Sequence, residues 1–257
     1  MNISVCIATY NGEKFIAEQL NSILCQLKYN DEIIIVDDCS LDNTVKVIME
    51  LNNPLIKIYI NDKNYGHVYS FNRSIGLAKN KIILLSDQDD IWTKDRVEIM
   101  KSNLLSSKSY LLTANFKVMN TDGEIYEVVK GKICKTDSNR NLINILRIFC
   151  GNINYFGSLM IFTNSLKKII FPIPSFVEAH DIWIALAANL LRKNQHINEI
   201  ALIRRIHCNN VTNPNRNNFR KILTRFKFLV YIIVLTYRIF QHKLNKFNKN
   251  KISEGDF

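Results

Sequence analysis

The sequence predicts an α/β fold built on a doubly wound, mostly parallel sheet, and three observations predict it. Apolar runs rich in Ile recur at residues 3–8, 32–37, 56–60 and 81–86, the pattern of strands covered on both faces. Segments with helical spacing of apolar residues separate them, so strand and helix alternate four times within about ninety residues; consecutive crossovers of one hand then give a parallel sheet. Each run ends in polar or acidic residues, at the edge where such sheets bind ligands.

Taken in order, residues 3–8 form a strand and residues 9–12 a turn. A helix over 13–27 follows, with Phe15, Ile16, Leu20, Ile23, Leu24 and Leu27 on one face. A strand at 32–37 runs into an Asp-rich loop, where Ser40 or Asp42 can cap a helix reaching about residue 51. A strand at 56–60, a loop opened by Gly66 and a helix over 68–79 lead to the fourth strand, which empties into Asp87, Asp89 and Asp90. Beyond Trp92 the alternation weakens. A helix is expected over 94–106, a strand over 109–116, a hairpin turn at 120–123 leading to 124–129, a helix over 141–149 and a strand over 155–162. The stiff loop 171–174 precedes a helix opened by His180-Asp181, and a strand over 197–206 ends at His207.

The last segment differs in kind. Apolar residues from Phe219 to Phe247 recur in steps of three or four with Arg and Lys between them, the signature of a long basic amphipathic helix, broken once at most. The division expected is residues 1–210 as the folded domain, with 1–92 and 93–210 as its halves, and 211–257 as a helical tail.

Composition is that of an ordinary folded domain, with 47% hydrophobic and 22% charged residues. The formal charge of +11 is local: residues 204–251 hold twelve Lys or Arg and no Asp or Glu, leaving the body near neutral. Six scattered cysteines without a Cys-x-x-Cys pair read as reduced, buried thiols in the cytosol. No export signal is recognisable at residues 3–8, and the apolar run at 228–237 falls short of the roughly 20 residues of a membrane span.

Because parallel strands point the same way, residues 9–11, Asp37-Asp38 and residues 87–90 should converge on one crevice. Three carboxylates within four positions repel one another and raise each other's pKa unless a positive charge sits among them. Mg²⁺ or Mn²⁺ held by oxygen ligands answers that need. A metal-bound nucleoside diphosphate fits the crevice better than a dinucleotide, since Thr9-Tyr10-Asn11-Gly12 lacks the Gly-x-Gly-x-x-Gly fingerprint.

Ile-Ala-Thr-Tyr-Asn-Gly (7–12), Ile-Val-Asp-Asp-Cys-Ser-Leu-Asp-Asn-Thr (35–44) and Leu-Ser-Asp-Gln-Asp-Asp-Ile-Trp (85–92) resemble, in this order and spacing, the family 2 glycosyltransferases of GT-A fold. With the later His-Asp and Arg-x-His-x-Asn-Asn, the sequence is most similar to bacterial rhamnosyl- and other hexosyltransferases of O-antigen and capsule assembly. The resemblance covers about residues 1–210. It implies a UDP- or dTDP-sugar donor, inversion at the anomeric carbon, a divalent metal on the diphosphate and a growing, lipid-linked glycan as acceptor. By position, Thr9, Tyr10 and Asn11 match the first nucleotide loop, Asp38 the acidic residue at the base, and Asp87 and Asp89 the ends of the Asp-x-Asp motif. Asp89 is then the first candidate for the metal and Asp90 the second. Asp181 matches the general base, with His180 where many members have Glu, and His207 matches a late histidine that in some relatives reaches metal or diphosphate.

Plainer readings stand beside these. Asp42 reads as a cap, Trp92 and Trp183 as packing residues, and His207 serves equally well as a structural histidine; nothing gives Cys39 or Cys208 a role. The tail fits a helix on the protein's own body, a partner-docking helix or, best, a helix on the inner face of the plasma membrane, where a lipid-linked acceptor lies. No nucleic-acid module is recognisable. The competing functions are a sugar nucleotidyltransferase, which wants a Gly-rich basic phosphate loop, and a non-catalytic glycan- or membrane-docking subunit.

Overall fold

The computed structural model describes residues 1–206 and 218–254, with side chains described up to 206 and over 223–248. The first half follows the expected alternation: β1 (Ile3–Thr9), α1 (Ile16–Leu24), β2 (Glu32–Asp37), α2 (Thr44–Glu50), β3 (Ile56–Ile60), α3 (His67–Leu77) and β4 (Ile82–Ser86). The second half contains β5 (Ile91–Trp92), α4 (Arg96–Ser107), β6 (Leu111–Met119), β7 (Ile125–Glu127), α5 (Asn141–Cys150), β8 (Met160–Thr163), α6 (Asn164–Ile170), α7 (His180–Leu190) and β9 (Asn194–Arg205). The helix α8 (Asn218–Glu254) closes the chain.

Among the described residues the nine strands belong to one sheet, in the order β3-β2-β1-β4-β8-β6-β9-β5, with β7 beside β6. The mostly parallel sheet expected from the sequence is corrected here to a mixed one. β1 to β4 pair in parallel, but β8 enters antiparallel between β4 and β6, and β5 and β7 are antiparallel additions. The physical reason is connection length: β8 and β6 are not joined by the repeated short crossovers that enforce parallel pairing in the first half.

Side chains alternate across the sheet as period-2 strands require. Val5, Ile7, Ile33, Ile35 and Leu84 face a core covered by α1, α2 and α4. Cys6, Ile34, Ile83 and Leu85 face the opposite core beneath α3, α5, α6, α7 and α8. Each such Ile or Leu is worth roughly 1.5–3 kcal/mol relative to exposure. Trp92 and Trp183 are buried, their indole N–H groups donating to Ser86 Oγ at 3.2 Å and the Ile170 carbonyl at 3.0 Å.

The cysteines depart from expectation. Cys6 is buried, but Cys25, Cys134 and Cys150 are exposed. Cys25 caps the end of α1 and Cys150 ends α5, positions whose side chains look away from the sheet. Cys208 and His207 lie outside the described residues.

Candidate active site

Register brings the polar strand ends together. Thr9 pairs with Asp37 and Ile7 with Ser86, so the loops after β1, β2 and β4 leave the sheet at one edge. The loop after β1 is fastened to both neighbours. Tyr10 N donates to Gln88 Oε1 at 2.9 Å, and Gln88 Nε2 returns a bond to the Tyr10 carbonyl at 3.0 Å. Asn11, at φ 49°, donates its N–H to Ser40 Oγ at 2.9 Å, while its Oδ1 accepts Leu41 N at 2.8 Å. Gly12 leaves room for this clamp: a Cβ there would sit 2.3 Å from Gln88 Oε1.

Several candidates prove to be braces of that edge. Thr9 is buried, and its hydroxyl donates to Asp37 Oδ2 at 2.8 Å. Asp38 is also buried; Oδ1 accepts Asn61 Nδ2 at 2.7 Å and Tyr65 N at 2.9 Å, and Oδ2 accepts Gly66 N at 2.7 Å. Asp38 therefore folds the loop that opens α3. Asp42 accepts Thr44 N at 2.9 Å and Glu13 N at 3.1 Å, one residue ahead of Asn43, which holds the N-cap position of α2 in place of the expected Ser40 or Asp42. Tyr10 is exposed on the loop's surface.

The acidic loop is where sequence and structure differ most usefully. Burial and then the charge of Asp89 push Asp87 up to about 6. Burial, then Asp87 and Asp89, hold Asp90 well above the ordinary carboxylate range. Positive charge, however, is already present. Arg96, the first residue of α4, is buried and stacks 4.1 Å over the Trp92 ring. It donates to the Ser158 carbonyl, and its charge faces Asp90 and Asp87. Burial lowers its pKa to about 9 even so. From the far side, β9 carries Arg204, which lies 4.4 Å over the Phe156 ring and lowers the pKa of Asp87, Asp90 and Asp181 alike. Ser158 supplies a hydrogen bond to the same carboxylates. Arg205 donates to the Asp89 carbonyl at 3.4 Å and to Glu18 Oε2 at 2.6 Å. Two arginines, Arg96 buried and Arg204 half-buried, thus lie near the cluster and lower its carboxylates' pKa values, yet Asp87 and Asp90 stay raised.

What remains fits a hard cation nonetheless. Asp90 Oδ2 is buried without a hydrogen-bond partner, and Asp87 and Asp89 stay half-buried at the rim. Among the described residues no three His, Cys, Asp or Glu converge as a complete metal cage. The donor set suits a Mg²⁺ or Mn²⁺ ion held by one or two carboxylates and completed by diphosphate oxygens and water.

Asp181 reaches this edge from the opposite half of the chain. It stands in the first turn of α7, where its Oδ1 accepts Ile182 N at 2.7 Å. Burial, with the charge of Asp87 adding to it, pushes its pKa up to about 6. Asp181 and Asp87 are therefore electrostatic neighbours. His180 turns the other way. It is buried, stacks on Phe71 with ring centroids 4.2 Å apart, and burial drives its pKa down to about 3. It is a neutral packing group, pressed so close to Gly157 that a Cβ there would lie 2.6 Å from its Nε2.

Sequence reasoning missed Gln88, Arg96, Ser158 and Arg204. Gln88 stood inside the acidic motif and Arg204 at a strand end aimed at the same edge, so both carried a signal; Ser158 carried none.

The Glycosyl transferase family 2 profile matches residues 4–160, which takes in all three loops. The chain belongs to this family. Among curated relatives it is 28% identical over 127 residues to the UDP-Glc:alpha-D-GlcNAc-diphosphoundecaprenol beta-1,3-glucosyltransferase WfgD of Escherichia coli, covering 49% of this chain and 50% of WfgD. The chain thus spans about half the length of that relative. Among solved structures it is similar to S. aureus TarS 1–349 in complex with UDP-GlcNAc, with TM-score 0.71, 21% identity, and coverage of 91% of this chain and 67% of that one. It is also similar to the mannosyltransferase PcManGT of Pyrobaculum calidifontis in complex with GDP-Man and Mn²⁺, with TM-score 0.60, 16% identity, and coverage of 94% and 75%. The family 2 chain accordingly has a GT-A-like mixed sheet flanked by helices, and membership sets aside the nucleotidyltransferase reading.

Proposed function

We propose that this family 2 chain transfers a hexose from a UDP- or dTDP-sugar to a hydroxyl of a growing, lipid-linked surface glycan, inverting the anomeric carbon, at the cytoplasmic face of the plasma membrane. The observation that supports it is a separate carboxylate, Asp181, near enough to Asp87 for the two charges to act on one another, with its pKa pushed up to about 6. A group of that basicity is charged at neutral pH yet still accepts a proton readily.

In this reading Tyr10 and Asn11, fixed by Gln88 and Ser40, contact the nucleotide, while Thr9 and Asp38 hold the loops that frame it. Asp87 and Asp89 would position the metal-bound diphosphate; Asp89, or Asp90 as the second candidate, would hold the divalent cation, and His207 would be a further ligand to metal or diphosphate. When bound, that cation offsets negative charge on the departing diphosphate. Asp181 takes the proton of the attacking hydroxyl as the new C–O bond forms and the bond to the diphosphate breaks. One displacement with a single base inverts the centre. The Arg204 charge lowers the pKa of Asp181 and of Asp87 alike.

A panel of nucleotide sugars titrated into the protein with Mn²⁺ tests the reading. Binding, or slow donor hydrolysis, is expected for at least one UDP- or dTDP-hexose; no binding across the panel with either Mn²⁺ or Mg²⁺ would overturn it.

A further inference from the structure

The helix α8 is apolar on two opposite sides, which one amphipathic helix resting on its own domain does not require. The inner row, Phe228, Tyr231, Leu235 and Ile239, is buried against the core formed with α6 and α7. Polar contacts fix the helix in that orientation. Arg238 donates to the carbonyls of Ile169, Ile170 and Pro172 at 3.2, 3.0 and 2.8 Å. The Tyr231 hydroxyl accepts Glu178 N at 3.0 Å, and Lys227 pairs with the Glu178 carboxylate. The outer row is Phe226, Val230, Ile233, Tyr237, Phe240 and Leu244, all exposed, with Phe226 at 65% and Ile233 at 68%. At 3.6 residues per turn these six fall within an arc of about 80° and run about 27 Å along the helix.

We propose that this outer row is the docking surface for an anionic lipid bilayer. The proposal rests on the peripheral location in the reading above and names the face that makes the contact. Charge selects the occupant. Lys243 flanks the row, and residues 204–251 as a whole carry twelve Lys or Arg and no Asp or Glu. A second copy packed along the row would set cations against cations, with no carboxylate to form the flanking pairs of a helix–helix seam. An anionic lipid surface complements the cations, and the aromatic and aliphatic row is suited to the headgroup boundary. No described helix is long and apolar enough to cross the bilayer, so the contact lies along the surface. Because the inner row and Lys227 grip the segment that leads to Asp181, docking would also orient the proposed base relative to the lipid surface.

The test uses the full chain and sedimentation with phosphatidylglycerol–phosphatidylethanolamine vesicles, against phosphatidylcholine vesicles, at physiological salt. The triple variant F226S/I233S/Y237S changes exposed positions only, and its circular dichroism and Tm should match wild type. Wild type should pellet with the anionic vesicles and less with neutral ones, and the variant should bind at least about ten-fold more weakly, since affinity scales with buried apolar area. Wild type remaining in the supernatant, or the variant pelleting equally, would overturn the proposal. So would a wild-type dimer that the variant converts to monomer without any vesicle binding, which would make the row a subunit interface. Mn²⁺-dependent donor binding measured on the same samples separates failure here from failure of the transferase reading.

Discussion

Residues 1–86 and residues 93–206 are assembled by different rules. In the first segment β1 to β4 pair in parallel, β1–β2 and β2–β3 through one helix each and β1–β4 across the three helices between them. In the second, β6 pairs antiparallel with β8 and in parallel with β9, with a register shift at Asn115. There the buried Asn115 side chain ties Ile133 and Ile197 together, at 2.9 and 3.1 Å. The first segment supplies the loops after β1 and β2 and runs directly into Asp87; the second supplies Arg96, Ser158, Arg204 and Asp181. The difference teaches that one half builds a charged edge and the other makes it tolerable and reactive.

Removing the second half's contribution should have the largest effect on folding. Arg96→Met takes away the buried positive charge that acts on Asp90 and Asp87 and the charged hydrogen bond to the Ser158 carbonyl, and stranding that buried carbonyl beside the carboxylates should cost about 3 kcal/mol. Urea unfolding of wild type and variant measures this, and a loss below about 1 kcal/mol would show that Arg96 is not the counter-charge. A smaller effect is expected from breaking the first half's own clamp. Gln88→Ala removes two hydrogen bonds to Tyr10, each worth about 0.5–1.5 kcal/mol, and should weaken Mn²⁺–UDP binding about ten-fold while lowering Tm by several degrees.

The smallest effect sharpens the charge argument. Asp181 faces Asp87 and Arg204, and its folded pKa, about 6, lies above the ordinary value of 3.8. The folded state therefore holds its proton more tightly than the unfolded state, so this group's contribution to stability falls as pH rises through the window from about 4 to 6. Asp181→Asn should consequently raise Tm at pH 8 by a few degrees, since about 1 kcal/mol corresponds to 2–4 °C in a domain of this size. The gain should shrink toward pH 5. Comparing variant with wild type cancels the opposite trend of His180, whose folded pKa is depressed to about 3 and whose contribution is lost on acidification.

These contrasts also explain what could be read in advance. The four parallel strands, the shared edge and the acidic loop follow from periodicity and from the alternation of strand with helix over the first ninety residues. The antiparallel entry of β8, the two-residue β5 and the short α6 do not, since nothing local distinguishes them from loop. The acidic cluster was legible as a charge problem but not its internal answer. Arg204 meets Asp87 only because β9 lies beside β5, a pairing of Ile91 with Ile203 across more than a hundred residues. Arg96 is near in sequence, yet only the packing of α4 against Trp92 turns it inward. Exposure of Cys25 and Cys150 was misread because it depends on which way a helix end faces. The second apolar side of α8 required knowing which row the body covers.

The central claim, that donor binding and proton removal belong to different carboxylates, is tested most directly by calorimetric titration of Mn²⁺–UDP into wild type, Asp89→Ala and Asp181→Asn. Asp181→Asn should bind within about two-fold of wild type, the conservative change leaving the donor edge intact, while Asp89→Ala should show no metal-dependent binding. Loss of binding in Asp181→Asn equal to that in Asp89→Ala, or retention of full binding in Asp89→Ala, would contradict it.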